Sequence, residues 1–211
     1  SADISYTITS DPHPPDWIDV LIHPRSAFER ILATRTLRSA IALGIVFVLA
    51  FTAAQLSSAL THLRPNPESF PTLRSDLIVQ TGSTLTVAAV SLVLFVFACL
   101  VVGRFLYGSG DLREVTMALG WSSIPGTLCC VLLAADAVIA AEFVSAGDFA
   151  FGPLNWAFVV AAVALALYAT VLSGIALSVA HRFSLVQALS TNISNTLFER
   201  NAVIVWTYFF S

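Results

Sequence analysis

RFLYGSGDLREVTMALGWSSIP, residues 104–125, is the stretch from which the fold can be read. A long apolar run ends at Arg104, a Gly108-Ser109-Gly110 turn follows, and a short polar helix is predicted to begin at Asp111. Gly120, Trp121 and Pro125 then lead into a second apolar run. This is the pattern of a loop at a membrane surface with a span on either side. Asp111 and Glu114 stand at capping-box spacing: the Asp111 carboxylate can accept an orphan backbone N–H while Glu114 reaches back to the cap. Gly108 and Gly110 permit the positive φ angles of a tight reversal.

Outward from this loop the chain is apolar in blocks. Of its 211 residues 57% are hydrophobic and 11% charged, against roughly 25% charged in soluble domains. A bilayer span needs roughly 20 apolar residues. Four stretches qualify, at about 39–60, 77–106, 121–144 and 153–180. The expected fold is all-α, a polytopic transmembrane helix bundle. Pro125 should bend the third span or mark its true start. In the second span Thr81, Gly82, Ser83, Thr84 and Thr86, and in the fourth Gly174 and Ser178, are small enough for close helix approach.

Residues 1–15 read as a polar tail, rich in acids and prolines and without the basic-then-apolar pattern of a secretion signal. Residues 16–36 read as an amphipathic segment ahead of the transmembrane domain at 37–211. From Pro24 a helix can start, with Phe28, Ile31 and Leu32 on one face. Such a face suits the headgroup layer or the protein's own cytoplasmic side, and both settings stay open. After the fourth span, Ser184 can cap a further helix. Leu185, Leu189, Ile193 and Leu197 then repeat against a polar face of Thr191, Asn192, Asn195 and Glu199. A fifth span over 184–211 requires that polar face to be covered; the competitor is an interfacial helix with a short re-entrant end.

All ten basic residues are Arg. Eight of them (Arg25, Arg30, Arg35, Arg38, Arg104, Arg113, Arg182 and Arg200) fall on one side of the spans, and two (Arg64 and Arg74) on the other. The positive-inside rule therefore places the N-terminus, the 104–120 loop and residues 181–200 in the cytoplasm, within an inner or plasma membrane. The net charge of −3 is small and no basic run is present, so no nucleic-acid partner is expected. Cys99, Cys129 and Cys130 lie inside apolar runs without metal-ligand spacing and read as small hydrophobes.

The cytoplasmic face collects the candidate partner- or lipid-binding residues Arg25, Arg104, Asp111, Arg113, Glu114, His181 and Arg182. Arg–carboxylate pairs there can fix loops to one another and dock a partner or anionic headgroups. No HxxxH or ExxH spacing supports a metal. Ser109, His181 and Asp111 share a side of the membrane but no catalytic motif, so no catalytic residue and no cofactor is expected. Asp136 is the one ionisable residue well inside a span. A charge near the bilayer centre costs at least about 2.5 kcal/mol, so it should face a partner or a cavity, or be protonated.

Four motifs in order carry a family resemblance. They are Pro24-Arg25-x-x-Phe28-x-x-Ile31 before the first span and Gly108-Ser109-Gly110-Asp111-Leu112-Arg113-Glu114 after the second. Gly120-Trp121-x-x-Ile124-Pro125 opens the third, and His181-Arg182-Phe183-Ser184-x-x-x-Ala188-Leu189 follows the fourth. Over about residues 20–190 the chain resembles the YIP family, the Ypt/Rab-interacting membrane proteins, and within it the compact prokaryotic branch. The resemblance implies a helical integral membrane protein with no catalytic residue to carry over. Eukaryotic relatives act in vesicle traffic through small GTPases. The resemblance covers about residues 20–190 and not their long cytoplasmic N-terminal domain, so GTPase binding is not among the expectations carried over. The first expectation is a non-enzymatic membrane scaffold, adaptor or accessory subunit, partnered by another membrane protein or a second copy. The alternative is a small-solute or ion permease using Asp136.

Overall fold

The structure is a computed structural model and describes residues 16–63, 70–145 and 153–192. The polar tail, most of the loop after the first span, and the tail from residue 193 lie outside the described residues. So does the greater part of the fifth-span alternative.

Seven named helices follow in order: α1 (Asp16–Ile22), α2 (Pro24–Thr34), α3 (Leu37–Leu63), α4 (Phe70–Phe105), α5 (Leu112–Ser122), α6 (Ile124–Ser145) and α7 (Pro153–His181). Residues 185–192 are also helical. Among the described residues the fold is an all-α bundle with four stretches long and apolar enough to cross a membrane: Leu37–Ser57, Leu77–Phe105, Leu112–Ile139 and Trp156–His181. Their outward sides carry exposed large apolar residues such as Val93, Phe97, Val160 and Leu167. In a bilayer that surface is solvated by lipid tails.

The buried core lies toward one end of the bundle. There Val20, Phe28, Ile31, Ala40, Met117, Trp121, Leu172 and Ala176 meet in one cluster. A second holds Cys99, Leu100, Val115, Leu119, Leu177 and Ala188. Both depend on α5. Its sequence is polar in the first turn, yet Val115 and every residue from Met117 to Ser122 are buried. Small residues make this possible. A Cβ on Gly120 would stand 2.5 Å from the Ala40 carbonyl oxygen, so at this crossing α3 and α5 touch backbone to backbone. Just before Pro125 the helix is interrupted: α5 ends at Ser122 and α6 begins at Ile124. Pro125 has no N–H for the ladder, while Ser123 and Thr127 keep their helical bonds on either side, at 3.1 and 2.8 Å.

The amphipathic segment becomes two helices capping this end of the bundle. The apolar face of α2 (Ala27, Phe28 and Ile31) is fully buried among α1, α5 and α7. The Tyr168 hydroxyl of α7 donates to the Leu21 carbonyl at 2.6 Å. After Ser184, whose side chain exchanges bonds with Gln187 in a second capping box, residues 185–192 lie against α7. Thr191 and Asn192 are buried there, and the Asn192 amide donates to the Thr170 carbonyl at 3.0 Å and to Ser173 Oγ at 2.6 Å. Up to residue 192, then, the polar face of this segment is covered.

Candidate functional site

The polar end of the bundle is assembled around the ends of α4 and α7, which finish in the same way. At the end of α4, Tyr107 N donates to the Arg104 carbonyl (3.0 Å) and Gly108 N to the Gly103 carbonyl (2.8 Å). At the end of α7, Phe183 N donates to the Ser178 carbonyl at 3.2 Å. These are Schellman closures, whose left-handed position is normally glycine. Here it is held by Tyr107 at φ 63° and Arg182 at φ 57°. Left-handed backbone costs a side-chain-bearing residue about 1–2 kcal/mol. The glycines expected to supply the reversal do something else: neither Gly108 nor Gly110 adopts the left-handed φ.

Their role is to leave space for His181. A Cβ on Gly103 would lie 2.2 Å from His181 Nε2, one on Gly108 2.8 Å from His181 Nδ1, and one on Gly110 2.7 Å from the Ala180 carbonyl. Ser109 N donates to the His181 carbonyl at 3.0 Å, so the 106–111 turn is clamped over the last residue of α7. The imidazole stacks on Phe183 at 5.1 Å. His181 is only 1% exposed, which differs from its expected place among the partner-facing residues. The glycine-lined turn closes over it, and it forms the floor of the loop.

The capping box forms as the spacing implies. Glu114 N donates to Asp111 Oδ1 at 2.7 Å and Asp111 N to Glu114 Oε2 at 3.2 Å. The other oxygen of Glu114 faces Arg182 at 3.7 Å. Arg113 donates to the Arg35 carbonyl at 3.4 Å. Arg25 pairs with Glu29 at 3.5 Å. Arg25, Glu29, Glu114 and Arg182 line one open cleft of about 530 Å³, with Leu32, Ala33, Val179 and Phe183 as apolar walls. Of the expected surface residues, Arg25, Glu114 and Arg182 thus come together. Arg104, Asp111 and Arg113 are exposed outside that cleft. Asp136 is half-buried far along α6 and is engaged in its own interactions.

Sequence reasoning missed a second polar network. Arg30 bonds Asp19, with Asp16 at 3.7 Å; Arg35 bonds Asp16; and His23 Nδ1 stands 3.3 Å from Asp19. The Arg30 guanidinium holds the Asp19 carboxyl below the usual carboxylate range, with His23 assisting and burial opposing. This network ties α1 to α2. Its one local signal is the Asp19–His23 spacing of four.

The family model described as Yip1 domain matches residues 18–194, most of the chain. The chain belongs to the Yip1 family. The match takes in both glycine-clamped helix ends, the capping box and the paired cleft. No curated protein and no solved structure matches this Yip1-domain chain.

Proposed function

We propose that this Yip1-family protein is a non-enzymatic scaffold or adaptor, an accessory subunit of a complex in the inner or plasma membrane. Its N-terminus, the 104–120 loop and residues 181–189 face the cytoplasm. The observation that carries this reading is the rim. Tyr107 is 98% exposed on a turn clamped to α7, with Phe105, Leu112 and Val186 exposed on the same polar end beside Arg104 and Arg113. An aromatic amid arginines has the composition of a binding hot spot, and because the backbone that carries it is already clamped, contact costs little loop ordering. The expected partner is the cytoplasmic part of another membrane protein or a second copy of this chain.

The test replaces Tyr107 with a photo-crosslinking amino acid in cells, followed by purification in mild detergent. A discrete adduct with one membrane polypeptide, or with a second copy, is expected. A monodisperse lone monomer without an adduct refutes the proposal. The permease alternative rests on Asp136 and is separated by flux in proteoliposomes, which Asp136→Asn would abolish only if that reading held.

A further inference from the structure

The cleft between α2, α5 and α7 carries a reading that stands apart from the adaptor proposal. We infer that it binds the headgroup of a zwitterionic phospholipid bearing a primary ammonium, phosphoethanolamine in kind.

Position comes first. Val179 and Phe183 straddle the end of the Trp156–His181 span, and with Leu32 they give the cleft apolar walls. The cleft therefore opens where a helix leaves the hydrocarbon, the level at which a lipid presents its head above its tails.

Charge comes second. Two guanidinium groups, Arg25 and Arg182, and two carboxylates, Glu29 and Glu114, line the same space. A simple anion would meet both carboxylates and a simple cation both arginines. A phosphodiester joined by two carbons to an ammonium satisfies the two kinds together. The internal pairs leave room for it. Arg25–Glu29 at 3.5 Å and Arg182–Glu114 at 3.7 Å are longer than the roughly 2.7–2.9 Å of a charge-assisted hydrogen bond. The arginine side chains are 81% and 73% exposed, so donors remain for a phosphate.

Backbone cost comes third. Arg182 occupies the left-handed position of its helix end, where glycine would be unstrained. The chain keeps a strained, solvent-facing arginine at the edge of this cleft. An ammonium with N–H donors can bond both carboxylates, whereas a quaternary choline has none. That difference sets the specificity.

The test is native mass spectrometry of the full chain in mild detergent with added phosphatidylethanolamine, phosphatidylcholine or phosphatidylglycerol. One phosphatidylethanolamine should be retained per chain at about tenfold lower concentration than either other lipid, the scale of a lost hydrogen bond to a charged group. Arg25→Gln and Arg182→Gly should each weaken retention about tenfold or more on the same scale. Glu29→Gln should shift the preference toward phosphatidylglycerol. Arg182→Gly also relieves the backbone, so its unfolding midpoint should not fall, and lost retention then reports binding rather than misfolding. Equal retention of the three lipids, or unchanged retention in the Arg25→Gln/Arg182→Gly double variant, would overturn the assignment. So would displacement by acyl-free glycerophosphoethanolamine at the same concentration, since the apolar walls would then contribute nothing.

Discussion

Gly103→Ala tests the clamp most directly. The added methyl would sit 2.2, 2.3 and 2.7 Å from three ring atoms of His181, where ordinary contact begins at 3.4 Å. The ring is held by Phe183 on one side and by the turn above, so α4 and α7 must part by about an ångström. Overpacking of this kind costs about 1–3 kcal/mol, and the better helix propensity of Ala over Gly returns about 0.5–1 kcal/mol. The net expectation is a loss of up to about 2.5 kcal/mol, read from unfolding in mixed micelles by circular dichroism. The decisive comparison is made in a His181→Ala background. With the ring gone the methyl has space, and Gly103→Ala should become neutral or stabilising, a coupling of about 1–3 kcal/mol. An equal cost in both backgrounds, or none in either, would refute the claim that Gly103 exists to admit the imidazole.

The other predictions concern separate parts of the molecule. Tyr107→Gly should raise unfolding stability by about 1 kcal/mol, because it removes left-handed strain and no buried contact; the same variant should no longer co-purify the partner in mild detergent. Gly120→Ala should cost several kcal/mol, about the upper end for overpacking, since the obstacle is the Ala40 backbone and not a flexible side chain; thermal unfolding checks it. The depressed Asp19 carboxyl adds stability that is fully present above its ordinary value of 3.8 and is lost as pH falls through the lower folded value. Wild type should therefore lose stability on acidification below about pH 4 more steeply than Asp19→Asn, as measured by unfolding across that range. Asp111→Ala should cost about 1 kcal/mol and speed amide exchange in the first turn of α5, through loss of its cap.

Much of this architecture is a local property of the chain. Apolar blocks of span length need no tertiary partner to be recognised, because the bilayer selects on length and hydropathy alone. The Asp111–Glu114 cap closes within one turn, and Pro125 removes its own hydrogen bond, so both could be read from neighbours in sequence. The interior use of α5 could not. Its Ala118 and Gly120 look the same whether they face lipid, water or Ala40, and only the approach of α3 distinguishes these.

The site divides in the same way. That arginines and carboxylates gather at one end follows from their order between spans. Which of them meet was decided by the crossing of α2, α5 and α7, which draws Arg25, Glu114 and Arg182 to one cleft from distant parts of the chain. His181 has the chemistry of a surface ligand in sequence and lies buried in the fold, because three glycines from another helix end make room for its ring. Composition and periodicity report what each residue prefers on its own helix. Contacts between helices depend on their rotation and depth, which no single segment encodes, and there the tertiary structure alone decided.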